Sequence, residues 1–275
     1  MLGDKLKRLQ HLFDEMGSAL VAFSGGIDST LVLKVAHDSL GSRAVAVTAV
    51  SPTFPAIELE GARWVASQIG ARHSIIETDQ LDIPEFVRND AGRCYHCKTD
   101  LYQALNSLQG EFGMAAMVDG THLDDLGDDR PGILAAREWG VRSPLVEAEL
   151  SKEEIRTLAK ELGLSNWDKP AAACLSSRIP RGIAITREKL TRVEQAEATL
   201  FREGFKQFRV RDHGEIARIE LEGAELPGVL DSARRERISA KLKGLGFRFV
   251  TLDLEGYRRG SGNGGTGIAG QGVKG

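Results

Sequence analysis

Leu20-Val21-Ala22-Phe23-Ser24-Gly25-Gly26-Ile27-Asp28-Ser29-Thr30 is the stretch whose reading decides the fold. Its four apolar residues make a short buried strand, and Gly25 and Gly26 let the backbone turn sharply and approach a ligand. Ser24, Ser29 and Thr30 then set hydroxyls beside the first turn of a helix, whose orphan amides and positive dipole end favour an anion. No Gly-Lys-Ser/Thr follows a second glycine, which excludes the Walker loop, and the three spaced glycines of the dinucleotide fingerprint are missing too. What remains is a loop suited to pyrophosphate, against the plainer alternative of a serine and glycine turn that only joins strand to helix.

The order Ser-Gly-Gly-Ile-Asp-Ser resembles the loop of the PP-loop ATP pyrophosphatases, a family that cleaves ATP between the α and β phosphates and adenylates a substrate. Around it, 275 residues allow one large or two modest domains, each able to bury a core. With 41% hydrophobic and 27% charged residues, no apolar run of membrane length and no signal-like start, a cytoplasmic chain without membrane contact is expected. A formal net charge of −3 and the lack of a polybasic arm give no reason to expect a nucleic-acid partner. The last residues, 259–275, are nearly all glycine and small or polar types, and a flexible tail is expected there.

Apolar spacing places Leu6, Leu9, Leu12 and Phe13 on one face of an N-terminal helix, and Leu31, Val32, Val35 and Ala36 continue the helix after the loop. Val45–Val50, Ile75-Ile76 and Met114–Val118 read as further strands, and 56–69 as a helix with Leu59, Ala62, Val65 and Ile69 inward. Strands alternating with helices predict an α/β fold, a mainly parallel sheet with flanking helices and a ligand crevice at the carboxyl ends of the strands. From about Thr186 the order becomes helix, two strands, helix, strand, which suits a small C-terminal α+β domain.

Two further stretches carry chemistry. Val118-Asp119-Gly120-Thr121-His122-Leu123-Asp124-Asp125 ends an apolar run in a turn and an acidic cluster. It resembles the Gly-Thr-x-x-Asp-Asp of PP-loop proteins, in which Gly120 would let the backbone approach ATP and Asp124 or Asp125 would help hold Mg²⁺; a solvated acidic loop is the alternative. Arg130 and Arg137 follow, either as phosphate contacts or as surface residues. Gly92-Arg93-Cys94-Tyr95-His96-Cys97-Lys98 precedes an expected helix, and the third cysteine, Cys174, lies in a proline-bounded loop with no regular periodicity. Three thiolates without a fourth fit a [4Fe-4S] cluster with one open iron. Zinc held with His96 or His122, and three independent buried thiols, remain open alternatives.

Ser-Gly-Gly-Ile-Asp-Ser-Thr, then Cys-Leu-Ser-Ser-Arg-Ile-Pro-Arg-Gly at 174–182 and Gly-Phe-Arg-Phe-Val-Thr-Leu-Asp-Leu at 246–254 occur in the order of the LarE family, which the chain resembles from about residue 18 to Arg258. That family converts pyridinium-3,5-dicarboxylate mononucleotide into a thiocarboxylate for the nickel-pincer cofactor of lactate racemase. Some members sacrifice the sulfur of one cysteine, and others hold a cluster with three. The sequence is similar to the three-cysteine group, and Ala173 falls at the sacrificial position of the single-cysteine pattern. The resemblance implies ATP as co-substrate, Mg²⁺, a sulfide donor and a homo-oligomer. Pyrophosphate would be gripped by Ser24, Gly25, Gly26, Ile27, Asp28 and Ser29, with Gly120 beside the nucleotide and Lys98 as an electrostatic clamp. Cys94, Cys97 and Cys174 would be cluster ligands, with Cys174 at the reacting centre.

Arg209 and Arg211 alternate on one face of a strand, and Arg178 follows the cysteine loop. Three converging guanidinium groups would bind a phosphate, although alternating arginines also suit a solvent-facing strand. In the LarE pattern Ser177, Arg178, Arg209 and Arg211 fall at the substrate-phosphate site and Glu197 near the reacting end. The expected organisation is a PP-loop domain over 1–183, a substrate and oligomerisation domain over 184–258, and the tail. A PP-loop tRNA thiolase, a sacrificial-cysteine version of the same transferase, an ATP-using amide synthetase and a non-enzymatic nucleotide sensor are the competing readings.

Overall fold

The computed structural model describes residues 1–126, 131–170, 173–229 and 231–258; Arg130 and the expected glycine tail lie outside them. Contacts divide the chain into two compact units that part between Cys174 and Leu175, earlier than the boundary expected after residue 183. The reason is local: a tight turn over Leu175–Arg178 buries Leu175 and Arg178 within the second unit, well before the next long helix begins.

In the first unit, helix α1 (Leu2–Met16) leads into β1 (Ala19–Ala22), α2 (Ile27–Leu40), β2 (Ala44–Val50), α3 (Ala56–Ile69) and β3 (Arg72–Glu77). A short α4 (Pro84–Val87), a long α5 (Arg93–Phe112), β4 (Ala116–Val118), α6 (Pro131–Glu138), α7 (Pro144–Glu147) and α8 (Lys152–Glu161) follow. The strands form one parallel sheet in the order β3-β2-β1-β4, with Leu20 opposite Val45 on one side and Met117 on the other. Because successive strand side chains point to opposite faces, the apolar runs feed two cores at once. Ala19, Val21, Ala44 and Ala46 pack with Leu9, Phe13, Leu31 and Leu158. Leu20, Val45, Val47 and Met117 pack with Tyr102, Leu105, Ala135 and Ala136. The chain runs outward from β1 to β3 and returns beside β1 as β4, so the order reverses between β1 and β4, where open α/β sheets place their ligands.

Two boundaries differ from the sequence reading. Gly113 closes α5 in the left-handed region (φ 63°) and the Met114 amide turns back to the Gln109 carbonyl, so β4 starts at Ala116 and not at Met114. Helix α5 begins at Arg93, so Cys94 and Cys97 lie within its first two turns and the 92–98 stretch does not precede the helix but opens it. Among the described residues no helix is long and apolar enough to cross a membrane.

The second unit holds α9 (Arg187–Arg202), β5 (Phe208–His213), β6 (Ile216–Leu221), α10 (Ser232–Gly244) and β7 (Phe249–Leu252). Strand β6 pairs antiparallel with β5 and parallel with β7. Ala196, Leu200, Val210, Ala217, Ile219, Leu221, Ile238 and Leu242 form its core, which is the α+β arrangement expected from the sequence.

Phe13 is fully buried between α1 and the sheet. Phe13→Ala removes a large aromatic from a packed interior and should cost about 3–5 kcal/mol of unfolding free energy, read as a lower urea midpoint. An unchanged midpoint would mean that α1 does not seal this face.

Candidate functional site

The loop after β1 is braced from several directions. Ser24 and Ser29 hydroxyls lie 3.2 Å apart, the Ser24 amide donates to Ser29 Oγ, the Gly26 amide donates to Ser24 Oγ, and Ser29 Oγ donates to the Gly26 carbonyl. Gly25 adopts φ 71°, and a Cβ there would stand 2.8 Å from the Ala62 Cα, so glycine is required both by conformation and by the approach of α3. The Gly25 carbonyl accepts from Asn166 Nδ2 at 3.1 Å and Lys169 Nζ at 3.4 Å; Asn166 also bonds Thr30 Oγ1, and Lys169 also pairs with Glu58 at 2.7 Å. Gly26, the N-cap of α2, supplies no capping side chain. The amides of Ile27, Asp28 and Ser29 therefore have neither an i−4 carbonyl nor a cap, which suits an anion.

Asp28 faces Lys152, whose ammonium donates to both carboxylate oxygens, one of them at 2.6 Å. His122 Nε2 lies 4.0 Å from Asp28 and 3.5 Å from Asp125, and Asp124 accepts from the Lys152 amide at 2.7 Å. Asp28 and Asp125 thus flank His122 at the mouth of the loop with Asp124 close by, but among the described residues these carboxylates are not drawn together into a metal-ligand group. Gly120 sits against the same helix start: a Cβ there would meet the Ser29 amide nitrogen at 2.8 Å and the Asp28 carbonyl carbon at 3.1 Å. Its close approach is thus to the loop itself. The preceding Asp119, almost fully buried, accepts from Tyr102 Oη, the Thr121 amide and hydroxyl, and Ser143 Oγ, which fixes the end of β4.

The cysteines lie in the same unit, Cys94 exposed and Cys97 and Cys174 partly buried, with no disulfide between them. Burial pushes the Cys97 thiol up to about 12, and the neighbouring Cys174 and Cys94 push it the same way while Lys98 opposes them. Cys174 and Cys94 are thus each within electrostatic range of Cys97. Their soft donors fit iron–sulfur ligation, although among the described residues no three His, Cys, Asp or Glu side chains are drawn together as a metal-ligand group. His122 turns its Nε2 towards Asp28 and Asp125, and its buried Nδ1 has no hydrogen-bond partner among the described residues. Lys98 stands over the Tyr102 ring at 5.4 Å; the Tyr102 phenol, then Asp119 and Cys97, hold its ammonium above the usual lysine range against desolvation.

In the second unit, Arg178 is buried and grips Glu197 through Nε and Nη2 at 2.8 and 2.9 Å, with Nη1 on Ser177 Oγ. Glu197 also accepts the Val210 amide at 3.0 Å. Arg211 holds the fully buried Glu220 at 3.0 and 2.9 Å and donates to the Ser177 carbonyl at 2.7 Å. Arg209 donates to the Phe208 carbonyl and lies over the Tyr257 ring at 5.1 Å. Burial, followed by the Arg178 charge and with a further contribution from Arg211, lowers its proton affinity, so the three guanidinium groups do crowd together. An arriving anion would relieve that crowding.

Asn166, Lys169, Lys152 and Asp119 were not singled out from sequence. Asn166 and Lys169 precede the cysteine loop and Ser151-x-x-Glu154 is a capping-box signal, but nothing in their spacing tells which carbonyl or carboxylate they meet.

A profile of the asparagine synthase family matches residues 14–95. The chain is 41% identical over 260 residues to the pyridinium-3,5-bisthiocarboxylic acid mononucleotide synthase of Lactiplantibacillus plantarum, covering 94% of each. It is 47% identical over 260 residues to an uncharacterised Synechocystis protein, covering 94% of this chain and 97% of that one. An uncharacterised protein of Methanocaldococcus jannaschii is 30% identical over 239 residues, 87% of this chain and 90% of its own.

The steric role of Gly120 predicts that Gly120→Ala, which forces a methyl group against the Ser29 amide, should lower stability by about 1–3 kcal/mol. Gly3→Ala, where nothing lies within 4 Å, should not. Equal urea midpoints for the two variants would show that the loop and the end of β4 can move apart.

Proposed function

Because the chain belongs to the pyridinium-3,5-bisthiocarboxylic acid mononucleotide synthase (LarE) family, we propose that it adenylates a carboxylate of pyridinium-3,5-dicarboxylate mononucleotide with ATP and converts it to a thiocarboxylate. The observation that carries the ATP half of this reading is the uncapped start of α2, with the Ser24 and Ser29 hydroxyls folded over it.

A carboxylate resists sulfur nucleophiles because oxide would have to leave. Its oxygen therefore attacks the α-phosphorus of ATP, the bond to the bridging oxygen of the β phosphate breaks, and pyrophosphate departs. Ser24, Gly25, Gly26, Ile27 and Ser29 receive that pyrophosphate through amides and hydroxyls, and Asp28 orients Mg²⁺. Sulfur then attacks the acyl carbon and the bond to AMP breaks. Arg178, Arg209 and Arg211, with Ser177, take the substrate phosphate. Glu197, held by Arg178, would act on the reacting end of the substrate, and Lys98 would offset developing negative charge beside Cys97.

Cys94, Cys97 and Cys174 would hold a [4Fe-4S] cluster, a reading supported by the influence of Cys94 and Cys174 on the Cys97 thiol. When bound, such a cluster supplies sulfide as the sulfur source, so that no cysteine is consumed. Lys98 adds a positive charge beside this site.

Incubation with ATP and the mononucleotide should release pyrophosphate and AMP, and the product mass should show oxygen replaced by sulfur. Each of Cys94→Ala, Cys97→Ala and Cys174→Ala should lose the anaerobic iron–sulfur absorption together with sulfur transfer while retaining pyrophosphate release. Dehydroalanine at position 174 after one turnover, with Cys94 and Cys97 dispensable, would establish the sacrificial route instead.

The arginine assignment is best tested at Arg209. Arg211 also neutralises fully buried Glu220, so its removal would disturb the fold as well as the ligand. Arg209→Ala should weaken mononucleotide binding by about 1.5–3 kcal/mol and leave ATP affinity nearly unchanged, as read by calorimetry. Lost ATP binding with normal mononucleotide binding would exchange the two sites.

A further inference from the structure

We propose that Lys152 is the resident counter-cation of the loop: its ammonium pairs with Asp28 and serves the pyrophosphate as that leaving group forms. This rests on the reading that ATP is cleaved at the Ser24–Ser29 loop.

Asp28 lies in the first turn of α2, where the helix dipole and the first amides favour a negative ligand. A carboxylate at an anion site repels the anion unless a cation stands between them. The group that meets it is Lys152, bonded to both carboxylate oxygens across 124 positions of sequence. His122 is the other group of possible positive charge facing Asp28, at 4.0 Å, and it is shared with Asp125.

Lys152 is held by its backbone and free to move at its tip. It opens α8, where its amide donates to Asp124, Ser151 caps the Glu154 amide, and Glu154 returns to the Ser151 amide and pairs with Lys5 at 2.7 Å. The Ser151, Lys152 and Glu154 amides at that helix start are therefore already engaged, and what α8 presents to Asp28 is the lysine side chain. Its side chain is about one-fifth exposed, so the four-carbon stem can reach from Asp28 to a pyrophosphate held in the loop. Negative charge builds on the leaving pyrophosphate as the bond to the α-phosphorus breaks, and an ammonium already in place offsets it without reorganisation.

The probe is inorganic pyrophosphate, titrated by calorimetry into the full chain with and without Mg²⁺. Lys152→Ala should bind Mg²⁺-pyrophosphate roughly tenfold or more weakly, and Lys152→Arg should restore most of that affinity because the charge-assisted contact survives. In turnover, Lys152→Ala should lower kcat for pyrophosphate release by a similar factor, with a much smaller change in KM for ATP. Should the alanine variant lose its cooperative melt, Lys152→Met keeps the stem and gives the same reading. Unchanged pyrophosphate affinity in a folded variant overturns the proposal. A wild-type chain that binds pyrophosphate through Lys152 yet releases none from ATP and the mononucleotide would keep this proposal and refute the proposed reaction.

Discussion

A methyl group at Gly120 would stand 2.8 Å from the Ser29 amide, and the carboxyl edge of the sheet depends on that close approach. Parallel pairing of β1 with β4 brings Val21 opposite Val118, so the two chains leave the sheet side by side. Only a residue without a side chain lets the second pass the helix that the first begins. Asp119 then fixes the exit of β4 by accepting four hydrogen bonds, while Thr48 Oγ1 steadies the exit of β1 by donating to the Phe23 carbonyl at 2.7 Å. The loop is in this way a rigid product of strand register.

Much of this was legible because strands buried on both faces read as continuous apolar runs, and amphipathic helices repeat at three and four residues. The four strands of the first unit, the loop and the α+β character of the second all follow from such local patterns. The apolar spacing of Leu101, Leu105 and Leu108 marks the body of α5, whereas its start at Arg93 is set by hydrogen bonds from the Tyr95 and His96 amides to the Gly92 carbonyl. What brings Lys152 to Asp28, or Asn166 and Lys169 to Gly25, is tertiary packing over more than 120 positions, for which periodicity carries no signal.

The charges at the loop follow from the same close packing. Glu58 holds Lys169 against the Gly25 carbonyl, and Glu154, itself held by Lys5, caps the helix that bears Lys152. Each lysine near the loop is thus positioned through a carboxylate that is not the proposed ligand's partner. Partly exposed pairs of this kind contribute little to stability, with a median of about 0–1 kcal/mol. Their consequence is positional: they decide where a cation waits.

The arginines of the second unit carry that logic into a buried setting. Arg178 and Arg211 are held bidentately by Glu197 and Glu220, and a pair so withdrawn from water is costly to form and costlier to break, roughly 3–5 kcal/mol when one partner is removed. Two of the three guanidinium groups are therefore fixed before any ligand arrives, with most of their forks already committed. Arg209 is different: it bonds a backbone carbonyl and lies over the Tyr257 ring, and burial first, then the Arg178 charge, lower its proton affinity against the opposing pull of Glu197. The rigid pairs set the geometry and the electrostatic field around the crowded third arginine, the one on which the proposed phosphate site turns. Specificity for a phosphate would then arise from strain between cations that the carboxylates hold in place.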